Sequence, residues 1–357
     1  MKHQITLLLF FGCLVCIAQA QPEYPDSGFT NKAEAKNLMV NGKKEGKWVE
    51  YIDKDGKIST DTNIVWYKLL IYKADVPNGI ARLYLRRKLF LETSYRNGKE
   101  NGVEKLYELG SGKIAKEIPY TDGLVNGIEK VFYRTGKIEY EIPYKNGKIS
   151  GVKKQYYENG KLFNEDTYKD SVEDGVSKGY YDNGILQDET SFVNGKKNGT
   201  SKTYYKNGRV HCEMSWKNDT LNGVERYYYE SGRLQFMDLR LNGIIQDSIF
   251  RSYYESGKLD IERRYNNGKA NGIEKGYYED GNLESETFYK NGTLVGVEKM
   301  YYEDGKLKGE YPYKNGKVNG VAKTYYSSGK IKSEIVYLNG IVETTKDYDE
   351  NGNEIKQ

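Results

Sequence analysis

From the middle of this chain onward, glycine returns on a fixed step: Gly127, Gly151, Gly175, Gly199 and Gly223 lie 24 residues apart, and Gly272, Gly296 and Gly320 resume the series. A constant period constrains the fold more than any local propensity, because each unit can bury apolar surface only against its neighbours. Upstream, Gly46 opens a long copy, Gly79 a shortened one and Gly102 one with an extra residue, while Ser248 takes the glycine's place after a one-residue insertion. About twelve units fill residues 46–341, and a half unit, YDENGN from Tyr348 to Asn353, lies in a cap at 342–357.

With the opening glycine numbered as unit position 0, two turn signals recur. Asn159-Gly160, Asn183-Gly184, Asn207-Gly208 and Asp304-Gly305 stand at positions 8 and 9, and Asn146-Gly147 and Asn315-Gly316 at positions 19 and 20. Asn-Gly and Asp-Gly favour the type I′ hairpin turn, which needs positive φ at both central residues. The segments between turns are rich in Tyr, Val and Ile, and they are long enough for a strand and too short for a stable helix. Each unit is therefore expected to run strand, two-residue turn at positions 8 and 9, strand, and a looser four-residue turn.

Charge supports that register, since a two-residue loop puts position 3 opposite position 14. Lys154, Lys178, Lys202, Arg251, Lys275, Lys299 and Lys323 would face Glu165, Glu189, Glu213, Glu262, Glu286, Glu310 and Glu334, and only Arg226 would face an uncharged residue, Met237. Each glutamate would also face the basic residue of the next unit, giving an alternating ladder. An exposed cross-strand pair contributes only about 0.2 to 1 kcal/mol. Its larger value is to fix register, because a one-residue slip exchanges the two faces of a strand. On the other face, the second tyrosine of each pair is expected beside the Leu or Ile at position 11, and the tyrosine at position 17 over the next unit's glycine, as Tyr313 over Gly320. The fold class that follows is all-β: an elongated antiparallel meander of 24-residue hairpins forming a single twisted or curved sheet.

Residues 1–20, MKHQITLLLFFGCLVCIAQA, have the basic start, short apolar run and small-x-small exit of a secretory signal. The apolar run falls short of the roughly 20 residues that span a bilayer. Export to the periplasm, cell surface or medium is the expectation, with no membrane span after cleavage; lipidation of Cys13 is the alternative to cleavage after Ala20. A lead segment, 21–45, follows. Cleavage would leave Cys212 and His211 as the only cysteine and histidine, which excludes an intramolecular disulfide and a thiol metal cluster. The 54 basic and 51 acidic residues that remain are spread along the chain, so no nucleic-acid footprint is visible.

The spacing YKNGKISGVKKQYYENGK (144–161), repeated as YKNGKVNGVAKTYYSSGK (313–330), resembles the bacterial variant of the MORN repeat, including YwqK-like antitoxin-type proteins. The resemblance covers nearly all of the chain after its first 45 residues and is specific through repetition. It implies extended hairpin arrays with scaffolding roles, and in related eukaryotic repeats lipid contact; it supplies no catalytic residue.

Candidate chemistry is sparse. His211 and Cys212 are neighbours in a strand, and adjacent side chains there point to opposite faces, so neither a metal site nor a nucleophile and base pair is expected from them. No catalytic residue, metal or cofactor is assigned. The feature with functional reach is the paired tyrosines: Tyr156 and Tyr157, Tyr180 and Tyr181, Tyr204 and Tyr205, Tyr228 and Tyr229, Tyr253 and Tyr254, Tyr277 and Tyr278, Tyr301 and Tyr302, Tyr325 and Tyr326. Rows of rings on a sheet suit a protein partner, or a glycan stacked on them. A non-enzymatic scaffold is the first expectation, with a glycan binder and an immunity or antitoxin-like inhibitor as the alternatives. The departure LQFMDLRLNGIIQDSIF (234–250) reads as a bend, a partner site or drift.

Overall fold

The computed structural model describes residues 28–246 and 248–355; the signal expected at 1–20 lies outside them. The chain divides into two compact units at Gly112 and Lys113. Each is built from antiparallel strands, joined in the first unit by one short 3-10 turn, Lys32–Glu34. The all-β hairpin-repeat architecture read from the sequence is the one observed.

One repeat of the second unit stands for the rest. Strand Gly151–Tyr156 pairs with Leu162–Lys169, and the short strand Val172–Glu173 folds back on the latter. Lys154 faces Glu165, and Glu165 faces Lys178 of the next repeat. The same alternation continues through Glu189, Lys202, Glu213 and Arg226, and again from Arg251 to Lys346. The charge ladder has the expected register.

The turns that produce it are exchanged. The two-residue type I′ turn is at positions 19 and 20, where Asn146 and Gly147 have φ of 51° and 78°. At positions 7 to 9 the loop has three residues: Gly160 N–H donates to Tyr157 O, Tyr157 N–H donates to Lys161 O, and Gly160 has φ 89°. That is a type I turn closed by a left-handed glycine. Asparagine stands before it for another reason than backbone φ, because its Oδ1 accepts from the N–H two residues on, at 2.8 Å in Asn159 and 2.9 Å in Asn183 and Asn207. The longer loop alone would shift the register by one. A bulge on the second strand removes the shift: Tyr156 pairs with Leu162 and Gln155 with Asn164, leaving Phe163 extra.

Two expected pairings change accordingly. The first tyrosine of the pair, not the second, sits opposite position 11, as Tyr156 opposite Leu162. The tyrosine at position 17 pairs with the glycine of its own repeat, Tyr168 with Gly151 and Tyr313 with Gly296. The residue at position 16 closes on the next glycine instead. At Gly320, with φ 118°, a Cβ would stand 3.2 Å from Pro312 Cγ.

The two units bury different things. In the first, Phe29, Leu69 and Tyr84 form one cluster and Leu70, Tyr72 and Ala81 another; Leu69 and Leu70 are strand neighbours and so serve opposite faces. Lead-segment residues take part: Phe29 is buried, and Leu38–Val40 pairs with Lys43 to Glu45. In the second unit, the buried residues among those described are Glu129, Cys212, Glu225, Asp238, Gly276, Thr287, Gly309, Ala322 and Ser333. All nine fall at positions 2, 4, 13 or 15, on the face opposite the ladder. Residues 342–355 contribute to strand Ile341–Tyr348 and the short Glu354–Ile355.

Candidate functional site: the ladder face and its tyrosines

Alternation puts positions 1, 3, 5, 14 and 16 on one face, so each repeat offers an aliphatic residue, a cation, a tyrosine and a carboxylate in order. Most position 1 residues stand well out of the sheet, Ile128 at 53% exposure and Val297 at 48%, while Val224 is half-buried. Beside them the ladder closes into ion pairs, Lys202 with Glu213 at 3.1 Å, Arg251 with Glu262 at 2.9 Å and Lys323 with Glu334 at 3.1 Å.

All sixteen predicted tyrosines are half-buried, and the structure separates them into two rows. The first belongs to the ladder face. Tyr156, Tyr180, Tyr204, Tyr228, Tyr301 and Tyr325 donate their hydroxyls to Glu141, Glu165, Glu189, Glu213, Glu286 and Glu310 at 2.7 to 3.4 Å. Tyr253 and Tyr277 occupy the same row. Burial first, and the bond to glutamate second, push the Tyr156, Tyr180, Tyr204 and Tyr325 hydroxyls up to about 12.

The second row lies at the first turn and spans repeats. Tyr157, Tyr181, Tyr205, Tyr229, Tyr254, Tyr278 and Tyr302 donate to the backbone carbonyl of the first tyrosine in the following repeat, at 2.6 to 2.9 Å. Tyr326 reaches Tyr348 O at 2.8 Å. This function was not foreseen from sequence, although one signal was present: position 6 is tyrosine at 133, 157, 181, 205, 229, 254, 278, 302 and 326, and never phenylalanine. A position that used only the ring would admit both. The rings keep one open side, on which Phe163 packs against Tyr157 at 4.9 Å, and Lys308 lies over Tyr302 at 5.6 Å.

His211 and Cys212 correct the strand rule. His211 is the extra residue of its bulge, and a bulge re-aims side chains. Thr203 Oγ1 consequently meets both His211 Nδ1, at 3.2 Å, and Cys212 Sγ, at 3.3 Å. The pair shares one neighbour on one face, with Cys212 buried and His211 packed against Tyr205 at 4.7 Å. Among the described residues, no group of three or more His, Cys, Asp or Glu side chains is placed to hold a metal ion, and no helix is long and apolar enough to cross a membrane.

Short antiparallel hairpins with a constant register, stapled one to the next by side-chain hydroxyls, define a β-hairpin repeat protein. The MORN repeat variant matches at residues 125–146, 150–170, 173–194, 197–218, 246–267, 270–291, 294–315 and 318–339, and the chain belongs to the MORN-repeat proteins. The matches pass over 219–245. No curated protein matches the chain. Among solved structures it is similar to a TcdB2-TccC3-TEV crystal structure, at 14% identity and TM-score 0.18 over 87% of this chain and 20% of that one. It is also similar to a Photorhabdus luminescens Tc holotoxin pore structure carrying a TccC3 mutation, at 13% identity and TM-score 0.17 over 85% and 18%. The chain spans about a fifth of those chains, and similarity at that level carries no inference about this protein.

Proposed function

We propose that this chain is an exported, non-enzymatic scaffold that binds another protein through the ladder face. The observation that carries the reading is a division of labour on that face. Lysine, glutamate and the tyrosine hydroxyls satisfy one another across strands, which fixes the sheet, while position 1 aliphatics such as Ile128, Val176 and Val297 remain turned to solvent beside the half-buried first-row rings. Exposed apolar residues interleaved with rings and charges have the composition of a protein interface. The leader at 1–20 supports export, and repetition supplies a surface that lengthens by whole units.

Face-resolved photo-crosslinking tests this. A photoreactive phenylalanine analogue at Val176 or Val297 is expected to capture a discrete partner in the cells that make the protein, and one at Lys153 or Glu298, on the opposite face, is expected not to. Equal capture from both faces, or none from either, would overturn the reading. Fractionation tests export: a chain retained in the cytoplasm would refute that part.

A further inference from the structure

The repeat passed over by the family matches is also the one at which the ladder is interrupted, and the two facts have a common structural content. Arg226 faces Met237, and Met237 faces Arg251 on the following strand. Where every neighbouring repeat sets a carboxylate between two cations, this one sets a thioether between two guanidinium groups. The arginines stand two interstrand steps apart, roughly 10 Å, so one carboxylate lying over Met237 could meet both, as a ladder glutamate meets the residues on either side of it. The arginines have only partial compensation within the sheet. Arg251 reaches Glu262 at 2.9 Å, but Arg226 comes no nearer than 3.9 Å to Glu213, and their side chains are 43% and 40% exposed. Tyr253 belongs to the row in which six tyrosines donate to the ladder glutamate of the preceding repeat, and for Tyr253 that position is Met237.

The same strand departs from most of its counterparts; strand Ile331–Leu338 shares an apolar pair at positions 16 and 18, Val336 and Leu338, but keeps Glu334 at position 14. Positions 14, 16 and 18 read Glu165, Thr167, Lys169, then Glu213, Ser215, Lys217, then Glu310, Pro312, Lys314, but here Met237, Leu239, Leu241. These three are exposed, as is Ile244, the cross-strand partner of Leu241. On the reverse face the strand keeps its polar bonds, with Arg240 on Glu225 at 2.8 Å. An apolar strip of four side chains therefore runs from a pair of incompletely matched guanidinium groups, on the face already assigned to partner binding.

We propose that the strip Met237, Leu239, Leu241 and Ile244, together with Arg226 and Arg251, is a docking site for an extended protein segment carrying one carboxylate beside apolar residues. The carboxylate enters the ladder between the two arginines and completes it from outside, and the apolar residues cover the strip. Charge complementarity selects this occupant: two cations in register across one missing anion call for a single acidic side chain, and the strip calls for apolar neighbours to it. The site refines the scaffold reading and rests on it.

The test is selection of a displayed random peptide library on the immobilised full chain. Enriched peptides are expected to share an Asp or Glu flanked by apolar residues. They should lose tenfold or more in affinity for Met237→Glu, which restores the ladder's own carboxylate and so should fold at least as well as the parent. Arg251→Gln should weaken the same peptides, whereas Glu310→Gln, an equivalent ladder change two repeats away, should leave them within twofold. Asp247→Asn alters the acidic residue of the insertion and is likewise expected to leave affinity within twofold; a tenfold gain would mean that the chain's own carboxylate closes the site, and would overturn docking by a partner. Absence of an acidic-apolar consensus, or unchanged binding to Met237→Glu, would overturn it as well. Crosslinking at Val176 and Val297 that persists in Met237→Glu would in that event leave the general scaffold reading standing.

Discussion

The two units of this protein fold by different means. Residues 28–112 bury Leu69 and Leu70 on opposite sides of one strand and close both sides with aromatic residues, as an ordinary small domain does. Among the described residues of 113–355 the buried side chains that are apolar are Cys212 and Ala322, and neighbours are held together by hydroxyls, ion pairs and paired backbone. The first unit concentrates its stabilisation in a few apolar residues, while the second distributes it over many weak, identical bonds. A distributed scheme lets a chain grow by copying units without redesigning a core, and it leaves one face available for recognition.

That contrast breaks most visibly at Leu69. It has no solvent exposure, so Leu69→Ala is expected to destabilise the first unit by about 2 to 5 kcal/mol, read as a lower urea midpoint in a truncation-insensitive probe such as Trp48 fluorescence. No single truncation in the second unit should approach that size. A comparable loss from Cys212→Ala would show that the array has a concentrated core after all.

Alkali should single out the array. The first-row hydroxyls at Tyr156, Tyr180, Tyr204 and Tyr325 sit near 12 in the folded protein against 10.0 unperturbed. A pKa raised by folding means that the folded state holds the proton more tightly. The contribution is therefore complete below pH 10 and is lost as pH rises from about 10 to 12. Urea midpoints measured across that window, followed by tyrosinate absorbance, should fall together with the tyrosine titration; a midpoint that stays flat to pH 12 would contradict the burial of these hydroxyls together with their bonds to glutamate.

Smaller effects should follow from single staples. Tyr181→Phe keeps the ring and removes the bond to Tyr204 O, at a cost of about 0.5 to 1.5 kcal/mol. Because each repeat contacts its neighbours, hydrogen exchange should quicken at the junction of Tyr181 and Tyr204 and stay unchanged beyond Tyr302. Protection lost evenly along the array would mean that the repeats unfold as one block. Lys202→Gln, which removes a half-exposed ion pair to Glu213, should cost less again, about 0.2 to 1 kcal/mol, and should fade with added salt.

The sequence made some of this legible for a clear physical reason. Charge alternation between positions 3 and 14 is a long-range signal, and it reported register correctly from Lys130 to Glu334, even though the turns beneath it were exchanged. The exchange was hidden because one dipeptide serves two geometries: Asn146 needs a left-handed backbone, whereas Asn159 offers a side-chain acceptor. The three-residue loop and the bulge at Phe163 then offset each other, so the ladder carried no trace of either. The two tyrosine rows were visible as residues but not as bonds, since a hydroxyl reaching a carbonyl 23 residues on leaves no pattern apart from the exclusion of phenylalanine. The core at Leu69 and Leu70 lies in WYKLLIYK, where Leu69, Leu70, Ile71 and Tyr72 follow one another without a polar break within an atypical copy, and the regular repeats offered no template for it.

The smallest stability effect has the most informative sign. Met237→Glu places a carboxylate between Arg226 and Arg251 and within reach of the first-row position of Tyr253, reproducing a geometry that the array uses repeatedly. It removes a half-exposed thioether rather than a buried one, so little apolar contact is lost. The expected result is a gain of about 0.2 to 1 kcal/mol, against the usual direction of point substitutions, measured as a raised urea midpoint with Glu310→Met, expected to fall by a similar amount, as the mirror case. If Met237→Glu destabilised the chain, the ladder would not be a transferable unit of stability, and the methionine would be a packing requirement of that repeat. If it stabilises, the methionine is a place where the chain gives up a local bond that its own pattern supplies elsewhere, and the surface it leaves, two cations above an apolar strip, is what the substitution would close.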